Sequence, residues 1–205
     1  MILAAILSIM IQQEVGMNSV KIGDQEWMVR NLDACTFRNG DPIPEAGSPE
    51  EWNNAAKEEQ PAWCHVDNNS ENDAVFGKLY NWYALNDPRG LAPQGWHIPS
   101  DEEWDMLITG LGGDADAGGK MKAHDLWQVP NAGATNESGL SVLPGGYRGH
   151  KGGFHALGFM GCFWSASEVS ARYGWSRYVY SHNTVVRRSR SGHKGEGLSI
   201  RCVRE

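Results

Sequence analysis

The sequence lacks the long runs that mark membrane and nucleic-acid proteins. In 205 residues no apolar stretch reaches the roughly 18 residues needed to cross a bilayer. It contains no block of lysines and no sustained heptad pattern, so we expect no nucleic-acid partner and no coiled coil. A chain of this length with 40% hydrophobic residues fits one folded domain.

Cysteine is scarce, and the common catalytic motifs are missing. The four cysteines form no CxxC pair, which argues against a zinc ribbon or a thioredoxin-type site. The seven histidines fall in no HExxH motif, and GxSxG is absent. We therefore expect no metal and no cofactor.

Glycine and tryptophan, in contrast, are abundant, with 25 Gly and nine Trp. Glycine in a helix interior costs about 1 kcal/mol relative to alanine, so a helical bundle is disfavoured. The composition favours a loop-rich fold whose loops are pinned by aromatic side chains.

Two segments carry helix-start signals. Ser48, Pro49 and Glu51 form a capping box with proline at the first helical position, which predicts a short helix ending near Glu59. Ser100 begins a second capping box, followed by apolar residues at helical spacing that Gly112-Gly113 terminates. These apolar residues are Trp104, Leu107, Ile108 and Leu111.

The remaining signals predict short strands. Val20–Leu32 alternates around Gly23-Asp24, which predicts a hairpin, and the chain is strand-like again from Phe159 onward. In the strand from Trp175 to Tyr180, one face would pack inward and the other would face a ligand, although short alternation also allows the inverted register. The inward set is Trp175, Arg177 and Val179, and the outward set is Ser176, Tyr178 and Tyr180. The fold class is α+β, with two main helices and short, irregular antiparallel strands.

Positive charge is concentrated near the C-terminus. Residues 168–205 carry eight Lys and Arg against three acids, whereas residues 1–167 carry ten against 22. The segment 168–196 is also rich in Tyr and Ser and poor in aliphatic residues, a composition typical of binding surfaces. The alternative is a sheet edge protected by charge against aggregation.

The N-terminal residues 1–19 are set apart by the apolar run from Met1 to Ile11. The run has the length of a signal-peptide core but lacks a positively charged start and a clear cleavage site. A short buried element, or a start codon inside a longer gene, explains it equally well.

Four motifs carry a resemblance to a known family. They are Lys78–Trp104, Gly133–Arg148, Cys162–Glu168 and Gly197–Glu205. Over residues 20–205 the chain resembles the Fibrobacter succinogenes major paralogous domain. The resemblance implies a C-type-lectin-like fold of the subclass shared with formylglycine-generating enzymes, and a secreted, cell-surface or virion-associated location.

Some proteins of this fold are variable proteins of diversity-generating retroelements, in which adenine-directed mutagenesis rewrites a C-terminal segment. The residues between Trp175 and Gly197 fit the products of such mutagenesis, apart from Lys194 and Glu196, which Asn codons of the AAY type cannot produce. An ordinary polar hairpin would look similar. The predicted ligand-binding residues are Arg172, Tyr173, Ser176, Tyr178, Tyr180, His182, Asn183, Arg187, Arg188, Ser189, Arg190, Ser191 and His193.

The expected function is non-enzymatic binding of a protein or glycan ligand on a cell surface. A fixed adhesin or carbohydrate-binding module is the alternative, and a formylglycine-generating oxidase is the weaker one. Those oxidases use a close cysteine pair, whereas Cys162 and Cys202 are far apart in sequence, at the ends of adjacent predicted strands. We expect them to form a disulfide or to pack as two thiols.

Overall fold

The computed structural model describes residues 18–204. Of the N-terminal apolar segment, residues 1–17 lie outside the described part of the chain. The helices are α1 (Pro49–Lys57), α2 (Asp73–Phe76), α3 (Trp82–Leu85), α4 (Asp101–Gly110) and α5 (Ala117–Met121). The strands are β1 (Ser19–Ile22), β2 (Gln25–Met28), β3 (Trp63–His65), β4 (Lys78–Tyr80), β5 (Trp96–His97), β6 (Tyr147–Arg148), β7 (Phe154–His155), β8 (Met160–Ser170), β9 (Tyr173–Tyr180), β10 (Val186–His193) and β11 (Val203–Arg204). Two short 3-10 turns, Val66–Asn68 and Ser70–Asn72, precede α2.

The two main helices begin where their capping boxes predict. In α1 the Ser48 hydroxyl accepts from the backbone of Glu51, whose carboxylate accepts from the Ser48 backbone. Ser100 and Glu103 repeat this exchange at the start of α4. The α+β class is therefore confirmed, with short helices placed by local capping chemistry.

Four small antiparallel sheets make up the strand content. The first has the order β1-β2-β11-β5, so strands from both ends of the described chain share one sheet. The predicted hairpin is confirmed, with Val20 opposite Trp27. The second has the order β10-β9-β8 and contains the longest strands. The pairs β3-β4 and β6-β7 complete the set.

The β8-β9-β10 sheet lies between two hydrophobic clusters. Phe163 and Val179 on one face join the cluster that contains Trp104 and the rest of the α4 stripe. Cys162 and Trp164 on the other face join the cluster around Tyr80 and Trp82. Because both faces of β8 are covered, this strand fixes the position of its neighbour β9, with which β10 pairs in turn.

Buried arginines hold the irregular loops in place. The Arg148 guanidinium donates to the carbonyls of Ala46, Gly47 and Gly152. The fully buried Arg201 donates through Nη1 to the carbonyls of Met28 at 3.0 Å and Leu140 at 2.6 Å. Loop carbonyls without a strand or helix partner are thus satisfied by cations inside the protein.

Two expectations for the C-terminal part need correction. Cys162 and Cys202 are free, buried thiols, so of the two expected states the packed thiols are observed and the disulfide is not. The predicted final strand is shorter than expected. Only Val203–Arg204 forms regular pairing, and Leu198 and Ser199 make single bridges to Tyr80 and Phe163.

We predict that Trp104→Ala destabilises the protein by about 3–5 kcal/mol, because this indole is 1% exposed and lies against Trp27 and Phe163. Chemical denaturation measures the change. The control is Met106→Ala on the same helix, where the side chain is 57% exposed and the expected change is below about 0.5 kcal/mol. Equal effects of the two substitutions would contradict this packing.

Candidate functional site

The register of β9 decides which predicted side chains share a face. Arg177 lies opposite Phe163 of β8 and Arg188 of β10, whereas Tyr178 lies opposite Cys162 and Arg187. Side chains of directly opposed residues project to the same face of a sheet. The predicted segment therefore supplies one face with arginines 177 and 188 and the other with Tyr178 and Arg187.

The predicted ligand-binding residues fall into three groups by exposure. The exposed group, which we name the β9–β10 surface, consists of Arg172, Tyr173, His182, Arg187, Arg188, Arg190 and Ser191. The half-buried group consists of Tyr178, Tyr180, Asn183 and His193. The buried group consists of Ser176 and Ser189.

The prediction that Ser176 faces a ligand is wrong, and so is the outward placement of Ser189. Ser176 is 0% exposed and donates its hydroxyl hydrogen to the Tyr178 hydroxyl at 3.1 Å. Gly174 and Gly192 face each other beside it, and a Cβ on either would collide with a ring, that of Trp82 or Trp164 respectively. Because the two glycines lack side chains, the rings of Trp82 and Trp164 lie directly over this part of the sheet. Ser176 and Ser189 are buried beside them.

Trp175 also departs from expectation. It was expected to pack inward with Arg177 and Val179, which are both fully buried. Instead it is half-buried, with the Arg188 guanidinium 4.1 Å and the Arg190 guanidinium 5.5 Å from its ring centre. Cation–π stacking of this kind holds arginine side chains in place at a surface.

An ion-pair network attaches the β9–β10 surface to the start of α4. The buried Asp101 carboxylate contacts Arg177 Nη1 at 2.5 Å through Oδ1 and accepts from Arg188 Nε at 2.9 Å through Oδ2. The first of these is an ion pair without the alignment of a hydrogen bond. Arg177 Nη2 also donates to Asp105 at 2.7 Å. The exposed Arg188 is thus tied to the core, while Arg187, Arg190 and Arg172 have no carboxylate partner within residues 18–204.

The turn between β9 and β10 is fixed by a buried lysine. Lys122, which is 0% exposed, donates from Nζ to the carbonyls of Ala132, Tyr180 and Asn183 at 2.8, 3.0 and 2.9 Å. Burial lowers the pKa of Lys122 to about 8, so the ammonium group is still charged at neutral pH. A charged donor bound to three carbonyls restrains the turn on which His182 and Asn183 sit.

Two glycines, one in α5 and one in the loop that follows Pro130, let the same turn pack closely. A Cβ on Gly118 would lie 2.6 Å from the Thr184 carbonyl oxygen, and a Cβ on Gly133 would lie 2.4 Å from the Thr184 methyl group. Thr184 in turn donates its hydroxyl to the Ala115 carbonyl at 2.6 Å. Thr184 therefore anchors the turn, and the predicted ligand-binding residues Asn183 and Arg187 lie on either side of it.

An open groove of about 560 Å³ runs beside this turn. Its lining comprises Tyr180, His182, Asn183, Val185, Val186, Arg187 and Arg188 from the predicted segment, together with Asp114. Asp114 was not predicted, because it lies far away in sequence in a Gly-Asp loop without a motif. The groove brings aromatic, basic, acidic and amide side chains together, so it can offer both ring contacts and hydrogen bonds to a ligand.

Glu196 is a second residue that the sequence did not point to. Burial raises the pKa of Glu196 to about 7, against a weaker opposing effect of a hydrogen bond from the His193 backbone. Burial, and to a smaller extent the charge of Glu196, raises the pKa values of Tyr147, Cys162 and Tyr178. Glu196 itself is half-buried.

The histidines of the segment pack against other rings. His193 stacks on His150 with ring centres 4.5 Å apart, and His182 stacks on Phe159 at 5.3 Å. Burial, followed by the nearby His150 and Arg172, lowers the pKa of His193. Within residues 18–204, no three His, Cys, Asp or Glu side chains are grouped closely enough to hold a metal ion.

The buried thiols are poorly suited to covalent chemistry. Burial raises the pKa of Cys202 to about 12 and raises that of Cys162 well above its usual range. Thiols of this kind are not thiolates at neutral pH.

The helices of the described region include none long and apolar enough to span a membrane.

Comparison with known proteins identifies one family. The model of the Fibrobacter succinogenes major domain matches residues 20–204, nearly the whole described chain. No curated protein and no solved structure gives a significant match.

We predict a pH-dependent gain in stability for Glu196→Gln. An acid whose pKa rises from 4.5 unfolded to about 7 folded binds more protons in the folded state, so the free energy of unfolding falls as pH rises between these values. The glutamine variant avoids this loss and should be more stable than wild type by up to about 3 kcal/mol at about pH 8, with little difference at about pH 4.

Thermal and urea unfolding across this pH range measure the effect. Glu137→Gln, at an exposed acid, is the control and should change neither curve. A Glu196→Gln variant whose stability differs from wild type by the same amount at both pH values would show that folding leaves the pKa of Glu196 unchanged.

Proposed function

The chain belongs to the Fibrobacter succinogenes major domain family, and we propose that it is a non-enzymatic ligand-binding protein that takes its ligand on the β9–β10 surface. The proposal rests on one observation: the segment combines exposed side chains with a backbone that buried residues restrain. Seven exposed polar and aromatic side chains sit on a backbone that Lys122 and the Asp101–Arg177 pair hold in place. A preorganised backbone with exposed Arg and Tyr lowers the entropic cost of binding.

The fold supports this proposal if it is C-type-lectin-like, as we further propose. In favour are the two capped helices, the pairing of β2 of the N-terminal hairpin with β11, and the long loops held by tryptophans and arginines. The segment 168–196 includes β9, the central strand of the second sheet, and β10, an edge strand. The edge position of β10 lets its exposed side chains vary while the core stays unchanged.

We also propose that the segment is the variable region of a diversity-generating retroelement protein. Most of its candidate variable positions are exposed or half-buried, including those of the β9–β10 surface. Lys194, which AAY codons cannot produce, is 7% exposed and paired with Glu168. A residue that mutagenesis would leave unchanged is therefore one that packs inside the protein. Ser176 and Ser189 are removed from the set of ligand-contacting residues because they are buried.

The ligand would be a protein or glycan on a cell surface, met outside the cell or at a virion. Tyr180 and His182 offer ring area beside the groove, with ring centres 5.4 Å apart. Arg187 adds a cation that has no carboxylate partner in residues 18–204. Aromatic and arginine side chains of this type carry most of the energy at protein interfaces.

Binding of the purified protein to arrays of glycans and of cell-surface proteins tests the proposal. We predict that Tyr180→Ala combined with Arg187→Ala reduces binding to any captured ligand by about tenfold or more, with little change in melting temperature. Tyr178 is left intact because it packs against the core.

The matched control is Tyr83→Ala combined with Arg30→Ala, which removes the same residue types outside the segment. The control should bind like wild type. Full binding by the Tyr180/Arg187 variant, or loss of binding by the control, would place the site elsewhere.

A further inference from the structure

Strand β10 leaves one edge of the second sheet open within residues 18–204. The sheet order is β10-β9-β8, so β10 pairs on one side only. Isolated bridges from other parts of the described chain do not reach Val186–His193. Open edges are where an additional strand can pair.

The direction of the free backbone groups follows from one hydrogen bond. The Val186 N–H donates to the Asp114 carbonyl at 2.8 Å, away from β9. Because N–H and C=O groups alternate sides along an antiparallel strand, the N–H and C=O of Arg188 point the same way as those of Val186. Those of Arg187 and Ser189 point towards β9. The loop at Asp114 already pairs with this edge at one position, and the edge beyond it is unpaired.

The groove and the charges lie along the same edge. Val186, Arg187 and Arg188, three successive residues of β10, line the groove of about 560 Å³ together with the exposed Asp114. Arg190 continues the strand on the side away from Asp114. The edge therefore has an acidic end at Asp114 and a basic end at Arg188 and Arg190, in a chain whose net charge is -7.

We propose that β10 binds an extended acidic segment of a protein ligand, which adds to the sheet as a fourth strand in the groove. Its backbone would exchange hydrogen bonds with Arg188, and its carboxylates would lie beside Arg190, on the face of the sheet where Arg188 and Arg190 stack on Trp175. This assignment rests on the proposed function and narrows it to one class of ligand. Charges on an edge strand prevent pairing with copies of the same strand, but arginines favour a strand of opposite charge.

The probe is a capped peptide of alternating Thr and Glu about eight residues long, the length of an ordinary strand. We expect it to bind at low ionic strength and to slow hydrogen exchange at the Arg188 amide, with no change at Arg187, whose amide is already paired. A peptide with Lys in place of Glu should bind at least about tenfold more weakly.

Two N-methylated forms of the probe separate strand addition from simple charge attraction. Methylation of one alternate set of amides should abolish binding, because those amides face β10, and methylation of the other set should change it by less than about threefold. Equal binding of both methylated peptides and the parent would overturn the proposal. Absence of parent binding at about 1 mM would also overturn it.

Protein variants locate the contact. Arg190→Glu should weaken binding of the Thr-Glu peptide by about tenfold, whereas Arg30→Glu, the same change of charge at an exposed arginine outside the β9–β10 surface, should weaken it by less than about threefold. Equal losses would indicate non-specific attraction and overturn the proposal. If the peptide does not bind but binding of an array ligand still requires Tyr180 and Arg187, only the proposal that a strand adds to β10 is wrong. If binding of the array ligand does not require Tyr180 and Arg187, the proposed function itself is wrong.

Discussion

Hydrogen bonds from buried cations to loop carbonyls are the interaction on which this structure depends. The strands are short and the loops long, so many buried carbonyls have no sheet or helix partner. Lys122 and Arg148 each donate to three carbonyls, and Arg201 donates to two and to the side chain of Asn31. Because an unsatisfied buried polar group costs about 1–3 kcal/mol, loss of one such cation would release several chain segments together.

This constraint explains how one segment can combine a fixed backbone with an exposed polar surface. Lys122 holds the turn between β9 and β10, and Asp101 holds Arg177 and Arg188 at the middle of the two strands. Apart from Arg188, the exposed side chains of the β9–β10 surface take no part in these bonds. Their identity can therefore change without altering the path of the backbone, which a binding protein with varied ligands requires.

The sequence predicted those parts of the fold that local chemistry determines. The capping boxes at Ser48 and Ser100 placed both main helices, and alternation placed β9. The burial of Ser176 was missed because it depends on Trp82 and Trp164, which approach only where Gly174 and Gly192 leave room. The basic C-terminal composition suggested a ligand-facing surface, yet part of that charge is internal. The buried cations of this region are Arg177, Lys194 and Arg201, whose side-chain partners lie 26 or more residues away in sequence.

The central claim is that exposed residues of the β9–β10 surface vary while the buried cations that hold the backbone stay constant. Codon-by-codon sequencing of this gene from a growing source population tests that claim most directly. The account predicts substitutions at adenines in the codons of outward-facing residues, such as Arg187 and His182. It predicts none at Lys122, Arg177 or the buried Ser176. Substitutions spread evenly along the gene, concentrated at the buried positions, or absent altogether would contradict it.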